Sequence, residues 1–236
     1  MNTMAGTERL FLAMHLPDSL KQWMSERMEH IASLLPFQRW TVKEDLHLTL
    51  IFIGDTQPAE EEQLKEALSS FTKPTEQVFP KTANTAFPAT STRSPVDRWL
   101  RPFVISLSRS LGTFGRPSSP SVLWAGITPN QELIALQNAL IEHLRQALPT
   151  SFVERISDLS VQARPYRPHI TLARQYRGPI PLDALKLEEA SRHFFNAESI
   201  VHADLLQWSV EAIDLYRSHL GRRPMYERLT SFPLSM

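Results

Sequence analysis

The sequence predicts an α+β protein of two pseudo-symmetric lobes, each with a mainly antiparallel sheet and helices, enclosing a cleft. Three observations lead there. Short apolar runs of strand character alternate with stripes at helical spacing. The order strand, helix, strand, helix, strand occurs in the first half of the chain and again, roughly, in the second. Each half also carries one strand with the pattern His-x-Thr, namely His47-Leu48-Thr49 and His169-Ile170-Thr171. Neither half repeats the other's sequence, so the symmetry is one of pattern. At 236 residues the chain can bury a substantial core as one large domain or as two lobes. The expectation is a single bilobal domain over 1–236 with an inserted loop at about 89–121.

The elements follow in order. Arg9 to Leu16 reads as a buried strand, and Pro17, Asp18 and Ser19 open an amphipathic helix whose stripe is Leu20, Trp23, Met24, Met28, Ile31 and Leu35. A short strand at Arg39–Val42 precedes a longer one from Leu46, stopped by Gly54 and Asp55. A helix from about Glu60 to Phe71 has an acidic first turn, which suits the positive end of the helix dipole. Val78–Phe87 and Val122–Ile127 look like strands, the second closed by Thr128, Pro129 and Asn130. Between them the chain is rich in Pro, Ser and Arg. There Phe103, Val104, Leu107 and Leu111 recur at helical spacing, which predicts a loop carrying one short helix. Arg93, Arg98, Arg101, Arg109 and Arg116 in this segment are opposed only by Asp97, as on a solvated flap.

After Asn130 a helix to about Leu148 places Leu133, Leu136, Leu140, Leu144 and Leu148 on one face. The second motif strand, Arg167 to Ala173, is entered through Pro165 and Pro168, and proline suits a strand's first residues or an edge. A helix near Leu182–Ala190 and strands near Ala203–Trp208, Val210–Arg217 and Met225–Phe232 complete the chain, with Gly221 in the last hairpin turn.

Composition narrows the chemistry. Twenty-five basic residues balance 25 acidic ones at a pI near 7.1, so any nucleic-acid contact must be local, at a phosphate or chain end. The absence of cysteine excludes disulfides, thiolate zinc sites and a cysteine nucleophile. Leu10–Leu16 is too short for a signal peptide, contains His15 and ends at Pro17. No run is long enough to span a membrane, and a cytoplasmic monomer is expected.

In an extended strand the side chains at i and i+2 face the same way. His47 and Thr49 should therefore share one face, with Leu46, Leu48, Leu50 and Phe52 on the other. His169 and Thr171 should likewise oppose Ile170 and Leu172. Each strand thus offers a proton carrier and a hydroxyl to one side. Two imidazoles suit phosphodiester hydrolysis, because attacking water must lose a proton and the departing oxygen must gain one. Threonine hydroxyls can hold the non-bridging oxygens. Arg164, Arg167, Arg174 and Arg177 surround the second motif with no acid between Ala163 and Gly178, a plausible phosphate clamp. Strict alternation puts Arg174 opposite His169, so its service requires a bulge or a strand end. Threonine is a poor metal ligand and no His-x-x-x-His accompanies the motifs, so neither metal nor cofactor is expected. The other histidines, His15, His30, His143, His193, His202 and His219, lack this context and are expected to be structural.

On these motifs the chain resembles the 2H phosphoesterase superfamily, and within it the RNA 2′,3′-cyclic phosphodiesterases, formerly called 2′-5′ RNA ligases. The matching segments run in order: Arg9-Leu-Phe-Leu-Ala with Leu16-Pro17, Asp45-Leu-His-Leu-Thr-Leu50 ending in Gly54, Phe87-Pro88, Val122-Leu-Trp-Ala-Gly126, Arg167-Pro-His-Ile-Thr-Leu-Ala-Arg174, and Leu215-Tyr-Arg-Ser-His-Leu220 with Tyr226. The resemblance implies a bilobal fold, His47 and His169 as catalytic residues, and Thr49, Thr171 and Arg174 as phosphate-binding residues. It implies that RNA ends bearing a 2′,3′-cyclic phosphate are hydrolysed to 2′-phosphomonoesters. Related small cyclic phosphates, a 2′-5′ linked nucleotide, or RNA-end binding without turnover are alternatives. Between Phe87-Pro88 and Val122 the family usually has only a short turn. Trp40, Phe11 and Tyr166 are candidates to stack on a base, against the plainer reading of each as core.

Overall fold

The computed structural model describes residues 6–72, 101–159, 165–195 and 204–234. The first half contains β1 (Glu8–His15), α1 (Asp18–Ala32), β2 (Phe37–Trp40), β3 (His47–Thr56) and α2 (Pro58–Thr72). Then come β4 (Phe103–Arg116), β5 (Ser119–Ile127), α3 (Gln131–Ala147) and the short α4 (Thr150–Val153). The rest is β6 (His169–Tyr176), α5 (Ala184–Phe194), β7 (Gln207–Val210), β8 (Ala212–Ser218) and β9 (Tyr226–Pro233). The predicted strand Val78–Phe87 and the predicted insertion as far as residue 100 lie outside the described residues.

The strands lie side by side in the order β7-β4-β5-β6-β3-β1-β8-β9, with β2 also paired to β6. All of these pairs are antiparallel. The centre of this order is the junction of the two motif strands. Four strands extend from it in each direction, β3-β1-β8-β9 and β6-β5-β4-β7. That is the expected two-lobed α+β arrangement, with the lobes joined through one sheet.

Each long helix packs into the core through one apolar stripe. Leu20, Met24, Met28 and Ile31 of α1 are buried, as are Leu133, Leu136, Leu140 and Leu144 of α3. The helices meet in pairs, α1 against α5 and α2 against α3. Side-chain caps start two of them: Asn130 accepts from the Leu133 amide at 2.8 Å and Asp183 from the Lys186 amide at 2.7 Å. The buried face of α3 joins the main core, and truncating a fully buried residue such as Leu140 to alanine should cost about 2–5 kcal/mol.

One expected element is corrected. Phe103 to Leu111 is not a helix but the first part of β4, paired with β7 and then β5. The apparent helical step from Leu107 to Leu111 comes from an irregularity in the strand: Leu107 pairs with Ile127 and Leu111 with Ala125, so two extra residues bulge out between them. Arg109, at φ 54°, takes up the turn. Residues 101–121 are therefore sheet for the most part, and not a flap. The strand at β3 also runs past its expected stop: Gly54, at φ 91°, accommodates a shift in register against β1, and pairing continues to Thr56.

Candidate active site

The two motif strands touch where Leu48 pairs with Ile170. In an antiparallel ladder that register sets His47 across from Thr171 and Thr49 across from His169. Leu48 and Ile170 are fully buried, while His47, Thr49, His169 and Thr171 are only partly so. The four polar side chains thus lie together on the concave face, each histidine next to the other strand's threonine.

Both strands then break their alternation at the same place. Leu12 pairs with Ile51 and Ala13 with Thr49, which leaves Leu50 as an extra residue. Leu123 pairs with Ala173 and Trp124 with Thr171, which leaves Leu172 as its counterpart. Two successive residues are buried in each strand, Leu50-Ile51 and Leu172-Ala173, and the next residue emerges on the concave face. In β6 that residue is Arg174, so the bulge supplies what alternation alone denied it. In β3 it is Phe52, half-exposed, which corrects its expected place among the core leucines.

The histidines are oriented alike. Nδ1 of His47 donates to the carbonyl of Asp45 at 2.7 Å, and Nδ1 of His169 to the carbonyl of Arg167 at 2.7 Å. A carbonyl only accepts, so Nδ1 holds the proton and Nε2 of the neutral ring presents its lone pair. Nε2 of His47 lies 3.0 Å from the Thr49 hydroxyl. Burial pushes the His47 imidazole down to about 4, reinforced by the positive charge of Arg174. His169 is also lowered, chiefly by burial and then by Arg174.

Aromatic rings surround both imidazoles. Phe11 and Tyr226 lie 4.9 and 5.0 Å from His47, and Phe114 lies 4.9 Å from His169. Tyr226 of the first lobe accepts a hydrogen bond from Arg174 of the second. Its place is set by Asp45, a buried carboxylate that accepts from the amides of Met225 and Tyr226 at 2.9 Å. Asp45 thus holds Tyr226 through its carboxylate and His47 through its carbonyl. The sequence carried Asp45 only as part of a matching segment. A buried acid two residues before a histidine is a signal, but its partners lie some 180 residues away.

A groove of about 1140 Å³ leads away from Thr49 and His169, between Phe52, Phe114 and Tyr166 and the exposed side of α3. Of the three stacking candidates, Tyr166 lines it, with its hydroxyl donating to the Thr49 carbonyl at 2.9 Å. Phe11 is buried beneath His47 and Trp40 packs on the core. Phe52 and Phe114 are the aromatic walls that the sequence did not single out. Among the arginines, Arg167 lines the groove, Arg177 donates to Gln38 at 3.3 Å, and Arg164 lies outside the described residues. Among the described residues no three His, Asp or Glu side chains converge as a metal set, and no helix is long and apolar enough to cross a membrane.

A family profile described as the 2′-5′ RNA ligase superfamily matches residues 16–222. The chain belongs to that superfamily. An RNA 2′,3′-cyclic phosphodiesterase of Geobacillus stearothermophilus is 31% identical over 95% of this chain, which spans 56% of that relative's length. One of Bacillus subtilis is 26% identical over 95% of this chain and 96% of its own. The fold is shared with solved structures. Escherichia coli LigT complexed with 3′-AMP superposes with a TM-score of 0.59 at 21% identity, over 98% of this chain and 99% of LigT. A protein of Thermus thermophilus gives 0.62 at 24%, over 96% and 97%.

Proposed function

We propose that this 2H phosphoesterase hydrolyses RNA 2′,3′-cyclic phosphate ends to 2′-phosphomonoesters, with His47 and His169 as the acid–base pair. The observation that carries the reading is the shared pinning of both Nδ1 atoms, which leaves two Nε2 atoms directed into one cleft. Water attacks phosphorus and yields a proton to one Nε2, while the bond from phosphorus to the ribose 3′ oxygen breaks and that oxygen takes a proton from the other. The products are a 2′-phosphate and a free 3′ hydroxyl, and the exchanged protons restore the pair through solvent.

Thr49, Thr171 and Arg174 hold the non-bridging oxygens, where charge must be stabilised throughout in-line displacement. The relatives named as RNA 2′,3′-cyclic phosphodiesterases support the substrate class. The threonine-rich donor set supports proton transfer without a metal.

The test is to incubate the protein with an oligoribonucleotide ending in a 2′,3′-cyclic phosphate, with and without chelator, and to identify the product by its resistance or sensitivity to a 3′-specific phosphatase. The expected product is a 2′-phosphate in both conditions. Loss of turnover with chelator, or a 3′-phosphate product, would overturn the mechanism.

A further inference from the structure

We infer that the cleft wall beside His47 carries a second phosphate subsite, built by His15, Asp214 and Arg228, for a phosphate on the 5′ side of the terminal ribose. The inference rests on the proposed hydrolysis of cyclic phosphate ends and specifies what part of the substrate lies beyond the reacting phosphorus. The sequence alone leaves His15 as a structural residue. In the fold it pairs in register with His47, which sets the two imidazoles on the same concave face in neighbouring strands, about 5 Å apart in strand spacing.

Asp214 is opposite Ala13 and so faces the same way. Its carboxylate is fully buried, accepts from Nδ1 of His15 at 2.9 Å, and lies 3.8 Å from the Arg228 guanidinium. Its other oxygen is buried without a hydrogen-bond partner among the described residues. This carboxylate sits beside an apolar patch of Phe11, Ala13 and Tyr216.

A charge buried there is weak evidence for stability, since well-packed apolar residues usually serve a core as well or better. It does serve to orient Arg228 and His15, whose imidazolium form, with Nδ1–H on Asp214, offers Nε2–H as the second donor. With Nδ1 committed to Asp214, the Nε2 edge of His15 is turned outward, and the imidazole is 42% exposed. Arg228 is half-exposed and keeps donors that the single long contact with Asp214 does not use. Lys21 of α1 adds a further cation within electrostatic reach of Arg228, though Asp18, Glu44 and Asp45 also face it.

This group lies on the β1-β8-β9 side of His47, whereas Arg174 approaches from β6. The reacting phosphate and a second anion therefore have separate partners. Aromatic walls line the opposite flank, where a base is better accommodated than a phosphate.

The experiment measures kcat and KM for three substrates: a nucleoside 2′,3′-cyclic phosphate, the same compound with a 5′-phosphate, and a dinucleotide ending in the cyclic phosphate. His15→Asn and Arg228→Met should each raise KM about tenfold for the substrates bearing the second phosphate, the scale of one lost charge-assisted hydrogen bond. Both constants for the first compound should be unchanged. An effect on the 5′-phosphate compound alone would assign a terminal phosphate, and one on both would admit an internal linkage; either supports the subsite. Equal losses on all three substrates, or no loss on any, would overturn it. Arg228→Met, at a half-exposed position, keeps the test if His15→Asn does not fold. Wild-type protein inactive toward all three would overturn the underlying reading and the subsite with it.

Discussion

Strands β3 and β6 are built alike and equipped differently. Each sets a histidine and a threonine on the concave face, pins Nδ1 to the carbonyl two residues earlier, and inserts an extra buried leucine before returning a side chain to the cleft. The returned side chain is Phe52 in one and Arg174 in the other. The surroundings of the two histidines differ as well. His47 is enclosed by Phe11, Tyr216 and Tyr226, while His169 borders Phe114, Trp124 and the open groove. One backbone design, used twice, thus delivers an aromatic ring to the groove beside His169 and a guanidinium to Tyr226 beside His47. The lesson is that pseudo-symmetry here resides in register and bulge, and asymmetry in what the bulge delivers.

If the two histidines act as one pair, losing either should be equally severe. His47→Ala and His169→Ala should each lower kcat by about 10²–10⁴-fold on a cyclic phosphate end, the usual worth of a positioned acid or base; full activity in either variant would break the pairing. Exchanging what the bulges deliver sharpens the contrast. Arg174→Ala should lower kcat about 10²–10³-fold, whereas Phe52→Ala should act mainly on KM, by roughly tenfold, for substrates carrying a base. Equal effects on kcat would show that the flanks are not specialised.

Protonation gives two further tests. A working pair needs one imidazole protonated and one neutral. With His47 near 4 and His169 below its ordinary value, kcat/KM should trace a bell with its maximum on the acid side of pH 6.5, the ordinary histidine value. In Arg174→Lys, which retains the charge, that maximum should stay; in Arg174→Gln it should move up, because a charge that opposes protonation is gone.

Stability carries the same signature. Unfolded His47 gains its proton near pH 6.5 and folded His47 only near 4. Between those values the unfolded chain binds more protons, so stability falls as pH falls, by about 3 kcal/mol in all. Urea unfolding at pH 7 and 4.5 should show this loss, and His47→Asn should reduce it. A pH dependence that His47→Asn leaves intact would mean the burial of this ring is not its source.

Much of the architecture was legible because it depends on local periodicity. The stripe of α3 names its buried leucines, Pro17 and Asn130 mark helix starts, and the two His-x-Thr strands declare a polar and an apolar face. Where the reading failed, a bulge was responsible. The pattern Leu107, Ser108, Arg109, Ser110, Leu111 looks the same whether four residues form a helical turn or two residues bulge from a strand, and only the partner β5 distinguishes them. Phe52 reads as core for the same reason, since an extra leucine reverses the phase of every residue that follows.

Taken alone, the sequence determined that this is an α+β chain with two imidazole–hydroxyl pairs, no cysteine and no evident metal set, because residue type and spacing along one strand suffice for that. Tertiary structure decided the rest. The pairing of Leu48 with Ile170 brought the motifs together from opposite halves, the bulges admitted Arg174 and Phe52, Asp45 tied His47 to Tyr226, and Asp214 turned His15 from an isolated histidine into a neighbour of the site. Each of these depends on which strands become neighbours and in what register, and contacts between residues so far apart in the chain leave no periodic trace in either segment.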